Sequence, residues 1–286
     1  MKMKIAKESG HIHLPVYINE KGPFDFTLDT GAGMTVISKV LADQLGIETY
    51  QGAKAKASGV GGTPIPVKSA MVESLQLGTE TFLNKEVVVI DLGPAMGAGC
   101  LTPGVLGQDI LKDYIVQIDY RASTVQLDKQ PGSKIMAKDG VEWIPFQYVQ
   151  DTHLMRVPVY INTQGPFELI LDTGSSGTVI TPTLATELGI TENPSQSSEE
   201  QQAVQAQGCS QGVCTGPIGV ATGFAATLEK LAVGTATQEN VAVGVIDLNV
   251  VSPKGDKIDY GILGYPFLKN YTLIIDYPNR RLAMVR

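Results

Sequence analysis

The strongest constraint on this chain is that its sequence repeats itself. Leu-Asp-Thr-Gly at 28–31 recurs at 171–174, which is 143 residues further along the 286-residue chain. A repeat on this scale predicts two copies of one folding unit, each large enough to bury a core. Val-Tyr-Ile-Asn at 16–19 and Gly-Pro-Phe at 22–24 recur at the same spacing, at 159–162 and 165–167.

The repeat continues to the end of each copy at a wider spacing. Ile-Asp-Tyr at 118–120 recurs at 275–277, so the second copy carries extra residues after its Asp-Thr-Gly. Between the copies, the chain is polar and contains Pro-Gly and Asp-Gly pairs, which favour turns. We therefore predict an N-terminal domain over 1–128, a linker over 129–140 and a C-terminal domain over 141–286.

Composition and periodicity predict that both copies are mostly β. The chain has 31 glycines and 16 prolines, and short stretches rich in valine and isoleucine are separated by glycine turns. One short helix is predicted in each half, over 38–45 and over 182–188. Ser38 and Thr181 suit the N-caps of these helices, and a glycine follows each helix at the position that favours a left-handed backbone.

The two Asp-Thr-Gly segments predict one shared catalytic site. If the halves pack about a pseudo-two-fold axis, Asp29 and Asp172 meet, and two carboxylates at contact distance share one proton. The charged member can act as a general base on a water, while the protonated member donates to the scissile carbonyl. The threonines can hydrogen-bond across the interface, and the glycines let the turns approach. The residues predicted to support the dyad are Thr30, Gly31, Ala32, Thr173, Gly174 and Ser175.

With these motifs the chain resembles the retropepsin-like aspartic proteases, in the tandem single-chain form found in bacteria. Each half has an apolar strand leading into Asp-Thr-Gly and a later apolar-Leu-Gly motif, at 105–107 and 262–264. The resemblance implies two β-barrel-like domains related by an internal pseudo-two-fold axis, and an aspartic endopeptidase with a peptide cleft between them. It also implies that the apolar-Leu-Gly motif supports the aspartate turn and that statine-type peptides inhibit the enzyme.

The resemblance also implies a mobile hairpin, or flap, that closes over the substrate. Ser-Gly-Val-Gly-Gly-Thr at 58–63 fits its tip, which makes Gly59, Val60, Gly61 and Gly62 candidate substrate-binding residues. The corresponding stretch of the second half, at 207–216, is longer and follows a polar segment. Two unequal flaps are therefore expected.

The residue after each Asp-Thr-Gly differs between the halves, being Ala32 in the first and Ser175 in the second. A serine hydroxyl at this place can donate to the neighbouring carboxylate and favour its charged form. We therefore predict that Asp172 holds the negative charge and that Asp29 holds the proton.

Other polar residues receive structural interpretations. Asp109 has a proline as its counterpart in the second half and is interpreted as a local salt-bridge partner. Asp119 and Asp276 are interpreted as turn-forming residues ahead of the last strand. The histidines, at 11, 13 and 153, occupy no repeated positions and are expected to face solvent. With the three cysteines they offer no metal-ligand spacing, so no metal and no cofactor is predicted.

Charge and hydropathy narrow the choice of partners. A formal net charge of −7 without any basic cluster disfavours nucleic acid, and no apolar stretch is long enough to span a bilayer. We expect a peptide or unfolded protein as substrate and a monomer, because one chain carries both aspartates. We favour an extracytoplasmic location with a leader absent from this chain, and keep a cytoplasmic one open. Cys209 and Cys214 are close enough for a disulfide, but two reduced thiols fit equally well.

Three alternatives stay open at this stage. The chain can be a peptide-binding module of the same fold without turnover, although both aspartates are present. It can be a protease that acts only on itself or on one partner, with the segment over 191–207 as a gate or processing site. The halves can also stand apart, each pairing with another chain.

Overall fold

The computed structural model describes residues 1–7, 9–52, 56–57, 65–91, 102–129, 141–192, 209–210, 213–216, 219–248 and 261–286. Most of the predicted linker and the segment over 193–207 lie outside the described residues, as do Cys100 and the predicted flap residues Gly59, Val60, Gly61 and Gly62.

The described residues of the first half form twelve strands and two short helices. In chain order they are β1 (Lys4–Ile5), β2 (Ile12–Ile18), β3 (Lys21–Leu28), β4 (Val36–Ser38), α1 (Lys39–Leu45), β5 (Thr49–Tyr50), β6 (Lys56–Ala57), β7 (Ile65–Pro66), β8 (Lys68–Leu77), β9 (Glu80–Ile90), β10 (Gly104–Leu106), α2 (Gln108–Leu111), β11 (Ile115–Asp119) and β12 (Thr124–Asp128).

The second half repeats this order around its longer insertion. Its elements are β13 (Ile144–Pro145), β14 (Gln147–Tyr148), β15 (Met155–Ile161), β16 (Gln164–Leu171), β17 (Val179–Ile180), α3 (Pro182–Glu187), β18 (Cys209–Ser210), β19 (Val213–Gly216), β20 (Gly219–Val233), β21 (Ala236–Ile246), β22 (Gly261–Leu263), α4 (Tyr265–Leu268), β23 (Thr272–Asp276) and β24 (Arg281–Val285).

Each half closes into a β-barrel. In the first half the order β2-β3-β10-β4-β9-β8 returns to its start, because β8 also pairs with β2. In the second half β15-β16-β22-β17-β21-β20 closes in the same way through the pairing of β20 with β15. Closure satisfies the backbone groups that an open sheet leaves at its edges. The predicted mostly β chain with two barrel-like domains is confirmed.

The alternation of apolar residues explains why these strands face the core. Residues two apart on a strand point to the same side. Every second residue of β2 is therefore buried in the first barrel, and the equivalent positions of β15 are buried in the second. These residues are Ile12, Leu14, Val16 and Ile18 on β2, and Met155, Val157, Val159 and Ile161 on β15, and none of them is exposed.

The helices begin and end at the predicted caps. The hydroxyl of Ser38 accepts a hydrogen bond from the Leu41 amide, and the hydroxyl of Thr181 accepts one from the Leu184 amide. Gly46 follows α1 with a left-handed backbone, at a φ of 70°. The structure adds a second helix to each half, α2 and α4, directly after the apolar-Leu-Gly motifs. Four residues are too few to show a helical periodicity in the sequence. None of the described helices is long and apolar enough to cross a bilayer.

The last strands of the two halves combine into one sheet. Its order is β12-β11-β23-β24-β13, with β11 from the first half paired antiparallel to β23 from the second. Asp119 and Asp276 end these two strands and accept hydrogen bonds from the amides of Ala122 and Asn279, which confirms their predicted turn-forming role. Because this sheet contains strands from both copies, we expect the halves to unfold as one cooperative unit.

The shared sheet gives a stability prediction. Ile275 lies on β23 with its side chain fully buried, so Ile275→Ala removes packing from the centre of this sheet. We expect a loss of about 2–4 kcal/mol in the free energy of unfolding. Trp143 is the one tryptophan of the chain and packs against this sheet under the guanidinium of Arg281, so its fluorescence reports the transition.

The matched control is Leu83→Ala on β9, because the Leu83 side chain is 70% exposed. This control should change the free energy of unfolding by less than about 0.5 kcal/mol. Fluorescence and circular dichroism should report a single coincident transition for both variants. Separate transitions for the two halves would contradict the shared unit.

Candidate active site

The two aspartates of the Asp-Thr-Gly segments stand at equivalent ends of two strands. Asp29 follows β3 and Asp172 follows β16, and each strand pairs in parallel with the strand of its apolar-Leu-Gly motif. The amide of Asp29 donates to the carbonyl of Leu106 at 3.1 Å, and the amide of Asp172 donates to that of Leu263 at 3.1 Å. The apolar-Leu-Gly motif therefore supports the aspartate turn, as the sequence predicts.

Each aspartate turn needs glycine because the carboxyl group of the other half lies against it. A Cβ atom on Gly31 would stand 2.8 Å from Oδ2 of Asp172, and one on Gly174 would stand 2.5 Å from Cγ of Asp29. Both distances are too short for any side chain. The glycine amides also donate to the carboxylate of their own turn, from Gly31 to Asp29 at 2.7 Å and from Gly174 to Asp172 at 2.8 Å.

A reciprocal set of hydrogen bonds between the threonines holds the two turns together. The Thr30 amide donates to Oγ1 of Thr173 at 3.1 Å, and the Thr173 amide donates to Oγ1 of Thr30 at 3.0 Å. Each hydroxyl in turn donates across the interface, from Thr30 to the Leu171 carbonyl at 3.0 Å and from Thr173 to the Leu28 carbonyl at 2.9 Å. Both threonines are only 1% exposed, so water cannot replace these bonds.

Electrostatics place the shared proton on the first aspartate. Burial raises the pKa of Asp29, and the negative charge of Asp172 with their mutual hydrogen bond raises it further. Burial also raises the pKa of Asp172, but hydrogen bonds from Gly174 and Asp29 and the nearby histidines oppose that rise. These effects favour a state in which Asp29 keeps the proton and Asp172 carries the negative charge. The predicted assignment of the proton has this physical basis.

The predicted reason for that assignment is wrong. Ser175 was expected to donate its hydroxyl to the neighbouring carboxylate, but its Oγ donates to the Gly177 carbonyl at 2.9 Å. A hydroxyl has one hydrogen, so it cannot also donate to Asp172. Ala32 and Ser175 instead act through their backbones: their carbonyls accept from the amides of Gln108 at 2.8 Å and Tyr265 at 3.0 Å. The starts of α2 and α4 thereby hold the aspartate turns.

Two buried tyrosines near the dyad were missed at the level of the sequence. Burial raises the pKa of Tyr120 and Tyr277 far above the usual value, with smaller contributions from the charges of Asp172 and Asp29 respectively. Each tyrosine thus lies near the aspartate of the opposite half. The sequence signal for these tyrosines is the repeated Ile-Asp-Tyr motif. From the sequence alone, only the aspartate of this motif is interpreted, as a turn-forming residue.

All three histidines are half-buried, so the expectation that they face solvent is wrong. His153 Nε2 lies 2.6 Å from the carbonyl oxygen of Gly31, and His11 forms a hydrogen bond with the backbone of Gly174. Asp109 behaves as predicted, forming an ion pair with Lys85 at 3.0 Å and accepting from the Thr35 hydroxyl at 2.8 Å. Within the described part of the chain, no group of three or more histidine, cysteine, aspartate or glutamate side chains is arranged to hold a metal ion.

Comparison with known proteins gives matches in both halves. A family model described as aspartyl protease matches residues 14–110 and 157–267, so each matched segment contains one Asp-Thr-Gly. A solved structure described as a retropepsin-like aspartic protease from Rickettsia conorii is 20% identical in sequence. That match covers 40% of this chain and 79% of the other, with a TM-score of 0.30. A search of curated proteins finds no match.

The threonine contacts predict a large difference between two conservative substitutions. Thr173→Val keeps the shape of the side chain but removes the hydroxyl, leaving the Thr30 amide and the Leu28 carbonyl without their partners. We expect it to lower the free energy of unfolding by about 2–4 kcal/mol. Thr173→Ser keeps the hydroxyl and should cost less than about 1 kcal/mol. Equal denaturant midpoints for the two variants would contradict the role of this hydroxyl.

The buried dyad predicts that stability depends on pH. Because folding raises the pKa of Asp29, the folded state binds a proton more tightly than the unfolded state, and stability falls as pH rises through the folded pKa. Asp29→Asn replaces the carboxyl with a neutral group of the same shape, so the variant does not lose stability in this way as the pH rises. We expect the variant to melt about 2–4 °C above the wild type at neutral pH, corresponding to about 1 kcal/mol.

The gain from Asp29→Asn should shrink toward acidic pH, where the wild-type dyad already holds its proton. Calorimetry of both proteins at several pH values measures it. A stabilisation independent of pH would show that the site does not retain a proton in the way described.

Proposed function

The chain belongs to the aspartyl protease family, and on that premise we propose that it is an endopeptidase whose one active site is formed jointly by Asp29 and Asp172. The observation that carries the proposal is the hydrogen-bonded pair of half-buried carboxyl groups, one from each half. No second chain is needed to complete this pair, so we propose a monomer as the active form.

The asymmetric charge of the dyad supports a division of roles. Asp172, which carries the charge, takes a proton from a water bound between the two carboxyl groups. The resulting hydroxide forms a bond to the carbonyl carbon of the substrate, while Asp29 donates its hydrogen bond to the carbonyl oxygen. Asp172 then passes the proton that it took from the water to the amide nitrogen, which lets the carbon–nitrogen bond break. The products are a carboxylic acid and an amine, and the dyad again holds one proton.

The substrate class follows from the family and from the position of the dyad between the barrels. We propose that an extended peptide or an unfolded protein segment binds across the two halves. Gly59, Val60, Gly61 and Gly62 remain the candidates for the flap that covers it. A preference for apolar side chains beside the scissile bond is part of this proposal.

A binding module without turnover is the second candidate, and the geometry favours hydrolysis over it. Loss of catalysis would release the constraints on the dyad. Here both carboxyl groups accept hydrogen bonds from their glycine amides, and the threonine contacts around them are complete. A site kept only for binding has no need of two acids that share a proton.

The test is digestion of an unfolded protein with Asp29→Asn and Asp172→Asn variants. Each variant leaves the dyad with one acid, so we expect each to lower kcat by at least about a thousandfold. The matched control is Asp25→Asn, because Asp25 lies on β3, the strand that leads to Asp29, but pairs with Lys4 at the surface. The control should cleave at the wild-type rate, and full activity in either dyad variant would contradict a shared site.

The pH profile of the wild type should be bell-shaped. Activity falls on the acid side when Asp172 takes up a proton, and on the alkaline side when Asp29 loses its own. Because the pKa of Asp29 is raised well above its ordinary value, the alkaline limb should extend far above the pH at which an exposed aspartate ionises.

A further inference from the structure

Each half extends a histidine to the catalytic turn of the other half. His153 precedes β15 of the second half, and its Nε2 lies 2.6 Å from the carbonyl oxygen of Gly31 in the first half. A carbonyl oxygen only accepts, so Nε2 of the imidazole carries the hydrogen in this contact. The ring also packs on the turn itself, since a Cβ atom on Gly33 would stand 2.5 Å from Nδ1 of His153.

His11 makes the equivalent contact in the opposite direction. It precedes β2 of the first half and is hydrogen-bonded to the backbone of Gly174, the counterpart of Gly31. This bond raises the pKa of the imidazole, as a bond to a carbonyl acceptor does, because it favours the protonated donor. The neighbouring Gly10 has no room for a side chain, because the ring of Tyr265 lies against it.

The two histidines reach equivalent places from loops of different shape. In both halves one backbone bond closes the loop, from Ala6 to His11 at 2.9 Å and from Val149 to Leu154 at 2.9 Å. Inside the first loop Gly10 has the left-handed backbone, whereas Asp151 has it in the second. In the second loop residue 153, and not residue 154, lies at the catalytic turn. The contact is therefore kept although the sequence positions are shifted by one residue.

We propose that His11 and His153 are a pair of positioning residues that fix the glycine carbonyl of the opposite catalytic turn and, when protonated, hold Asp172 in its charged form. This inference rests on the proposed function of the dyad. It gives two residues that belong to no repeated motif a defined role in the reaction: they keep the turns in register and extend activity toward acidic pH.

The charges around the dyad agree with this role. Burial has the largest effect on the pKa of Asp172 and raises it, whereas His11 and His153 both lower it. His11 in turn faces Asp172, which raises the pKa of its imidazole against the larger lowering effect of burial. His13 is a further titratable neighbour of His11, and the charges of Asp25 and Lys4 also act on its imidazole. A proton taken up by His11 or His153 therefore favours the charged form of Asp172.

The first test separates the hydrogen bond from the charge. His153→Leu removes both, and we expect kcat to fall about tenfold with little change in KM, because the turn loses a contact that does not touch the substrate. His153→Gln keeps an amide donor that can reach the Gly31 carbonyl but cannot titrate. It should restore kcat to within about threefold of the wild type and still move the acid limb of the pH profile upward by roughly half a unit.

The substitutions at His11 should have the same effects, and the double variant His11→Gln with His153→Gln should move the acid limb furthest. The matched controls are His13→Leu and His13→Gln, because the ring of His13 contacts the Thr27 hydroxyl and not a catalytic turn. They should leave kcat and the profile unchanged. A glutamine variant as slow as the leucine variant, or an acid limb that stays in place, would overturn the proposal.

The second test does not depend on catalysis. Proton titration of the imidazole resonances by nuclear magnetic resonance should show lower pKa values for His11 and His153 when Asp29→Asn and Asp172→Asn are combined, because the dyad then has no charge. His13 provides the internal control and should move least. If His11 and His153 titrate as they do in the wild type, the proposal is wrong.

The two tests also separate this proposal from the proposed function. If the wild type cleaves no protein at any pH, the assignment as an endopeptidase fails, while the titration still decides whether the histidines are coupled to the dyad. If the Asp29→Asn variant loses activity and the titration shows no coupling, the endopeptidase stands and the histidine pair does not.

Discussion

The close approach of two carboxyl groups in a buried space is the interaction on which the rest of this structure depends. Burying one ionised carboxylate is costly, and a second negative charge beside it would add repulsion. A single proton shared between Asp29 and Asp172 removes the repulsion, but only while the two groups stay in contact. Gly31 and Gly174, the glycines of the two Asp-Thr-Gly segments, permit that contact. The reciprocal hydrogen bonds between Thr30 and Thr173 prevent the turns from separating.

Having both turns in one chain allows the two sides of the site to differ, which identical subunits cannot do. Gln108 and Tyr265 occupy equivalent places at the starts of α2 and α4, and the ring of Tyr265 packs against Gly10 in the loop that carries His11. The histidines reach the turns from loops of unequal shape. These differences give the two acids unequal surroundings, and the proton settles on the side where the charged form is less stabilised.

The sheet shared by the two halves fixes their relative position and thereby the geometry of the dyad. Strands β11 and β23 come from the two copies and pair along their full length, so one half cannot rotate without breaking this ladder. Tyr120 and Tyr277 follow these strands and place their rings near the aspartates of the opposite halves. The same sheet that joins the two barrels therefore also carries the two tyrosines that neighbour the dyad.

The sequence by itself determined the duplication, the β class, the helix caps and the identity of the two acids, because each follows from local spacing and from the repetition of a motif. The exact repeat of Asp-Thr-Gly was enough to pair Asp29 with Asp172. Only the tertiary structure decided what surrounds them. The sequence does not determine which acceptor the Ser175 hydroxyl uses, and in the fold this hydroxyl donates to the Gly177 carbonyl. His153 contacts the Gly31 carbonyl although the two residues are 122 positions apart in the sequence. Such contacts depend on the direction of a loop and on packing between domains, and neither leaves a periodic signal in the sequence.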